Sequence, residues 1–310
     1  MNTGYQQGFI DHPGPPADWM ALQGANRETA WRDWVASILQ TLNQVLWPSW
    51  DAAKREWPPD TYDQMKRLTA ADLAILIDMQ EDPRRRFNQP IRTPVSAPVT
   101  ATHKEFFQKE DEEDGNTNIG TFHSQYDTTL PPDRVAEIPT LMLTGFSTKC
   151  LNTSDQLKRY LQRPRAYQMA LLFGLQDYQN EAAITALSPS MVSGHCLEGL
   201  IAAGAVFDSW ITRGLNISRE SKIAMQQYAA DIGDRRVMAG VHYPGDSLAS
   251  WIVVMSQAMQ LYKNGLEVKR HLWSAIRDRS FIYEKIRSFE PADVYGPALR
   301  VLEASAPPMT

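Results

Sequence analysis

The chain predicts an all-α protein, on two observations. Apolar residues recur at three- and four-residue spacing through most of its length, and alternating strand patterns and Asn-Gly hairpin turns are nearly absent. With no internal repeat evident, the helices are expected to pack around an apolar core.

The elements follow in order. Residues 1–25 are rich in Gly and Pro and read as irregular. Asn26 is a candidate cap for a helix to Leu46, with Trp31, Trp34, Val35, Ile38, Leu42 and Val45 on one stripe and Pro48 as its stop. Asp60 opens a second helix through Leu68, Ala71, Leu73, Ile75 and Leu76, ended before Pro83. Six of the nine tryptophans precede residue 60, which points to helix–helix packing there. Residues 83–140 read as a long connection with little periodicity, carrying prolines at 83, 90, 94 and 98 and the acidic run Glu110–Asp114. Arg84, Arg85 and Arg86 read as a solvated helix end. Helical patterns return at Ile138–Phe146, Ser154–Arg163, Tyr167–Gln179, Gly194–Arg213, Ser218–Ala239, Ser247–Tyr262 and Leu266–Arg279, with shorter pieces at Phe281–Phe289 and Ala298–Ala304. In the best marked of these, Leu248, Trp251, Ile252, Met255, Met259 and Tyr262 line one face and Gly265 is a fit residue just past the end. The expected organisation is an N-terminal helical region over 1–100 packed on the core, a long connection over 101–140 and a helical core over 141–310, as one compact unit.

Composition narrows the function classes. A length of 310 residues, 43% apolar and 22% charged, is ample for a large core. A net charge of −5 argues against bulk attraction to nucleic acid or anionic lipid. Cys150 and Cys196 offer at most one disulfide and no Cys-rich zinc site. No signal-peptide pattern opens the chain and no apolar run reaches the ~18 residues of a membrane span, so a cytoplasmic protein is expected. The sequons at Asn152 and Asn216 are then chance.

Three stretches carry candidate chemistry. Lys158 and Arg165 are seven apart, about 700° on a helix, so both cations project the same way, an arrangement that favours an anion between them. Pro164 interrupts that geometry, and Arg163 should point elsewhere and pair structurally. Ser193-Gly194-His195 opens a helical run. Ser193 is a good cap, Gly194 lets backbone N–H groups approach an oxyanion, and His195 is placed to donate a proton. In the stretch Asp234–Asp246, Arg236 precedes His242 by six residues and Asp246 follows it by four. Asp246 can hold one ring nitrogen of His242 and leave the other as a nucleophile, and Pro244 suits a first helical turn.

Taken jointly, K-x6-R, then S-G-H, then R-x5-H-x3-D resembles the signature of the type 2 phosphatidic-acid phosphatase / vanadium haloperoxidase superfamily, over roughly residues 150–260. The chain departs from it at Val192 and Ala166, where prolines are usual, and at Asp234-Arg235, where a serine more often precedes the arginine. The resemblance implies a helical bundle of the acid phosphatase / vanadium haloperoxidase type. It implies His242 as the nucleophile, or the ligand of vanadium in a haloperoxidase, with Asp246 orienting it and His195 as general acid and base. Lys158, Arg165, Ser193, Gly194 and Arg236 would cradle the phosphate or vanadate oxygens.

Tyr243-Pro244 after the histidine and the R-P-R of the first stretch lean toward the soluble acid-phosphatase branch. The expectation is a metal-independent phosphatase acting on a soluble phosphate ester through a phosphohistidine, with no cofactor. The alternative is a vanadate-dependent haloperoxidase oxidising halide with hydrogen peroxide. The 83–140 connection would serve as a lid or pack on a second subunit, and a homodimer is compatible with the sequence. Phe106, Phe107, Phe122, His123 and Tyr126 are candidates for substrate contact, while His12, His103 and His271 have no assigned role.

Overall fold

The computed structural model describes residues 24–81, 90–92, 98–102, 133–134, 137, 151–176, 178 and 188–308, with the backbone alone for 24–33, 90–92, 98–102 and 151–152. The described protein is helical. Helix α1 (Gly24–Val45) starts two residues before Asn26 and buries Val35, Ile38 and Leu42. After a 3₁₀ turn at Pro59–Thr61 comes α2 (Tyr62–Glu81). Its inner stripe runs Met65, Leu68, Asp72, Ile75 and Met79, so a carboxylate occupies a core position.

Two short strands, Pro90–Arg92 and Pro98–Thr102, pair antiparallel with Pro90 opposite Thr102 and Arg92 opposite Pro98. The connection was expected to lack them. Each begins with proline, and β-branched Val99, Thr100 and Thr102 fill the second. The helix expected at Ile138–Phe146, the arginine and acidic runs, Cys150 and the five aromatic and histidine candidates of the connection lie outside the described residues.

The main bundle follows. Helix α3 (Leu151–Leu161) ends at Gln162, whose φ of 49° turns the chain into the left-handed region. Helix α4 (Ala166–Phe173) stops well short of Gln179, because Gly174 at φ 66° closes it in a left-handed cap. Helices α5 (Gly194–Thr212), α6 (Arg219–Met238), α7 (Pro244–Leu261) and α8 (Gly265–Arg279) form the centre, with α5 against α6, α7 and α8, and α8 against α6 and α7. The short helices α9 (Phe281–Arg287) and α10 (Gly296–Ala304) close one side, and α10 packs on α7. Helix α2 packs on both α6 and α7. No described helix is long and apolar enough to cross a membrane.

Two expectations need correction here. Helix α7 does not have a single buried face: it is buried on all sides from Pro244 to Met255, because α2, α5, α8 and α10 surround it, while Met259 is 48% exposed. Gly265 does not terminate α7. It is the first residue of α8, and a Cβ there would lie 2.7 Å from the Met259 Cα, so the next helix starts hard against the end of the last.

Helix α6 is equally enclosed, yet it carries Asp231, Asp234, Arg235 and Arg236 in its buried stretch. Burying such groups is tolerable only where they are hydrogen-bonded or paired. Asp234 accepts from the Ser280 hydroxyl at 2.8 Å and the Phe281 N–H at 2.7 Å, which ties α6 to the start of α9.

The tryptophans before residue 60 pack as expected where they are described. Trp47 and Trp57 both donate through Nε1 to the Leu161 carbonyl, at 3.2 and 3.1 Å. That carbonyl belongs to the last residue of α3, so the N-terminal segment grips the chain where the loop Gln162–Arg165 begins.

Candidate active site

That loop delivers two arginines in different directions. Because α3 ends at Leu161, Lys158 and Arg165 do not share one helix; Arg165 is the extended residue before α4. The two cations still converge, through a third element. Lys158 Nζ donates to the Ser188 hydroxyl at 2.9 Å, and Arg165 donates to the same hydroxyl at 3.1 Å and to the Ser188 carbonyl at 2.6 Å.

Arg165 also reaches the histidine. Its Nη1 lies 2.8 Å from both the Val241 carbonyl and His242 Nε2. A guanidinium offers only donors, so Nε2 must be the acceptor and Nδ1 must carry the ring proton. Nδ1 then donates to Asp246 Oδ2 at 3.0 Å. The tautomer is therefore fixed by the two contacts together.

Local chain geometry explains why His242 and Asp246 meet. At the end of α6 the Arg236 carbonyl accepts from the N–H groups of Val241 and His242, and Gly240 turns at φ 73°. Pro244 then occupies the first turn of α7, and Asp246 Oδ2 accepts the Tyr243 N–H at 3.0 Å. Asp246 also accepts from the Ser190 hydroxyl and, through Oδ1, from Arg163 Nη1 at 2.9 Å. The Tyr178 hydroxyl donates to the Gly240 carbonyl and holds the same turn.

Arg163 is fully buried. It pairs with Asp72 Oδ2 at 2.6 Å as well as with Asp246, and its guanidinium stacks over Tyr243 at 3.9 Å and Trp47 at 4.6 Å.

The Ser193 N–H donates to the Asp246 carbonyl at 3.4 Å, which seats the start of α5 beside α7. Ser193 caps α5, accepting the Cys196 N–H at 3.4 Å, and Gly194 is buried where a Cβ would meet the Ser154 hydroxyl at 3.1 Å. His195, in the first turn of α5, is half-buried. Arg236 is 2% exposed and directed into the protein. The Cys196 side chain is buried.

The electrostatics of one imidazole register the whole assembly. Burial pushes the His242 pKa well below its ordinary value, and Arg165, Lys158, Arg236 and His195 each add to the effect. Burial and the Arg165 donor on Nε2 both favour the neutral ring, and four other groups from three segments are close enough to act on its charge. Lys158 is pushed down to about 7, by burial first and then by Arg165, with Asp155 and Glu198 opposing. Burial raises Asp72, and Arg163 opposes it.

Several contributors were not singled out from the sequence. Ser188 and Ser190 carry no signal beyond an ordinary loop. Asp72 had one: it falls in the apolar stripe of α2, and a charge there requires a buried partner. Tyr295, whose hydroxyl donates to Asp72 at 2.7 Å, had none. His271 stacks on Phe207 at 4.2 Å, apart from the assigned groups.

Comparison with protein-family models, with curated proteins and with solved structures finds no match for the chain.

Proposed function

We infer that the protein is a phosphatase that hydrolyses a soluble phosphate ester through a phosphohistidine, as a member of the superfamily its three motifs resemble. The observation that carries this reading is a neutral, buried His242 whose Nδ1–H is held by Asp246 and whose Nε2 lone pair faces Arg165. Such a ring is an aimed nucleophile with a cation beside its reacting atom.

The proposed steps use this geometry. A phosphate monoester dianion enters among Lys158, Arg165 and Arg236, and the Arg165 donor now on Nε2 turns to a phosphoryl oxygen. Nε2 attacks phosphorus: the P–N bond forms, the P–O bond to the alcohol breaks, and His195 gives a proton to the departing oxygen. Asp246 offsets the positive charge that the imidazole gains. His195 then takes a proton from water, whose oxygen attacks phosphorus, and the P–N bond breaks to release phosphate and restore His242. Fixed cations at the equatorial oxygens supply the largest share of the barrier lowering, about 10²–10³-fold for one donor. Three side-chain cations supply this charge, so no metal ion or other cofactor is invoked.

Purified protein is expected to release phosphate from p-nitrophenyl phosphate, unaffected by EDTA and competitively blocked by orthovanadate. The reading is overturned if no phosphate is released. It is equally overturned if the vanadate-free protein is inert and vanadate loading yields halide oxidation by peroxide.

Lys158 gives a pH signature. Burial and Arg165 push its pKa down to about 7, and a bound anion would raise it again. Sulfate, a dianion throughout, should therefore bind with full affinity below about pH 7 and progressively weaker above it, by at most about tenfold per pH unit. Isothermal titration calorimetry should show proton uptake on binding above that pH. An affinity flat from acid to alkaline pH would remove Lys158 from the cradle.

A further inference from the structure

Asp72 belongs to neither the cradle nor the reacting pair, yet an unbroken line of charged contacts joins it to His242. Its Oδ2 accepts from Arg163 Nη2 at 2.6 Å, Arg163 Nη1 donates to Asp246 Oδ1 at 2.9 Å, and Asp246 Oδ2 accepts the His242 Nδ1–H at 3.0 Å. The side chains of Asp72, Arg163 and Asp246 have no exposed surface. One guanidinium is thus shared between two carboxylates, only one of which touches the imidazole. We propose that Asp72 and Arg163 are positioning residues that set the negative charge left on Asp246, and with it the tautomer and aim of His242. The proposal rests on reading His242 as the attacking group.

The physical reason is competition for one cation. Shared with Asp72, Arg163 neutralises Asp246 only in part, so Asp246 remains a strong acceptor for Nδ1–H and can stabilise positive charge on the ring. Without the charge on Asp72, Arg163 belongs to Asp246 alone, and the hydrogen bond to the ring weakens. Asp72 also fixes geometry. Its Oδ1 accepts the Gly245 N–H at 2.8 Å, one residue before Asp246. A Cβ at Gly245 would lie 2.8 Å from Asp72 Oδ2 and 3.2 Å from Arg163 Nη1, so the first turn of α7 is seated directly on the pair. A pair serving stability alone is weakly justified, since a buried ion pair is often no better than apolar packing. Here its far end is the reacting ring.

Asp72→Asn tests this, because it keeps an oxygen for Gly245 and Tyr295 while removing the charge and the acceptor that holds Arg163. The expected result is a kcat lower by about 10- to 100-fold, the range typical of outer-shell partners. KM should change little, since Lys158, Arg165 and Arg236 are untouched. A second readout needs no turnover: NMR of ¹⁵N-histidine-labelled, full-length protein. Wild-type His242 should carry its proton on Nδ1 with a far-downfield resonance, and Asp72→Asn should move that resonance upfield and speed its exchange with solvent. Should Asp72→Asn not fold, Arg163→Lys is measured in the same two ways, since its ammonium keeps the charge but cannot fork between the carboxylates. A folded variant with unchanged kcat and unchanged resonance overturns the proposal, as does a wild-type ring protonated on Nε2. An upfield shift in a protein without phosphatase activity supports the positioning line while removing the reaction assigned to it.

Discussion

Replacing His242 by alanine is expected to lower kcat by about 10⁴- to 10⁶-fold, the scale seen when a covalent nucleophile is deleted. The fold should survive. Asp246 keeps three donors, namely Arg163, the Tyr243 N–H and the Ser190 hydroxyl, and Arg165 keeps the Val241 carbonyl and Ser188. Asp246 and Arg165 thus keep hydrogen-bond partners, so circular dichroism and the melting transition should stay close to wild type. Lys158, Arg165 and Arg236 remain, so sulfate affinity should hold within about tenfold, as expected when only the group acting in the transition state is removed. The decisive measurement is an alkaline quench with ³²P-labelled substrate: wild type traps a phosphorylated protein and His242→Ala does not. Label persisting in His242→Ala would move the covalent step to another residue.

Arg163→Ala is expected to be the most damaging change to stability, at about 3–5 kcal/mol, the cost of removing one partner from a buried ionic network. It leaves the Asp72 and Asp246 carboxylates facing one hollow and removes the cation stacked on Trp47 and Tyr243. The pH dependence has a definite sign. Burial already raises the Asp72 pKa, and without Arg163 the Tyr295 hydrogen bond is left to oppose both burial and the charge of Asp246. The folded variant then binds a proton that its unfolded chain releases, so the charge penalty is full above the raised pKa and relieved as pH falls through it. Thermal melts of Arg163→Ala should therefore show a higher Tm near about pH 5 than near about pH 8. A Tm that falls on acidification would mean that Asp72 is not the group left exposed to the loss.

The pattern of legibility follows the range of the interactions. Helix positions are set by local periodicity and by stop residues, and most segments stand within a few residues of where spacing places them. The misses have local or tertiary causes. Gly174 ends α4 early through its left-handed conformation, and α7 is enclosed by helices whose approach no window of its own residues reports. The pairing of His242 with Asp246 lies within one loop and one turn, so its spacing was readable. Arg163 was read as a residue that points elsewhere and pairs, but its partner Asp72 lies 91 positions away. Ser188, the hydroxyl between Lys158 and Arg165, is chosen by how the loop before α5 packs, and a serine beside a proline announces nothing of that kind.

Asp72 receives its hydroxyl donor from Tyr295, 223 positions further along the chain. During synthesis the carboxylate leaves the ribosome long before Arg163 and longer still before α10 exists. Until then it must stay hydrated or protonated, and the ring it ultimately serves has no fixed orientation. The positioning proposed for His242 would therefore require a chain that already includes α10, since a shorter fragment lacks the Tyr295 donor to Asp72.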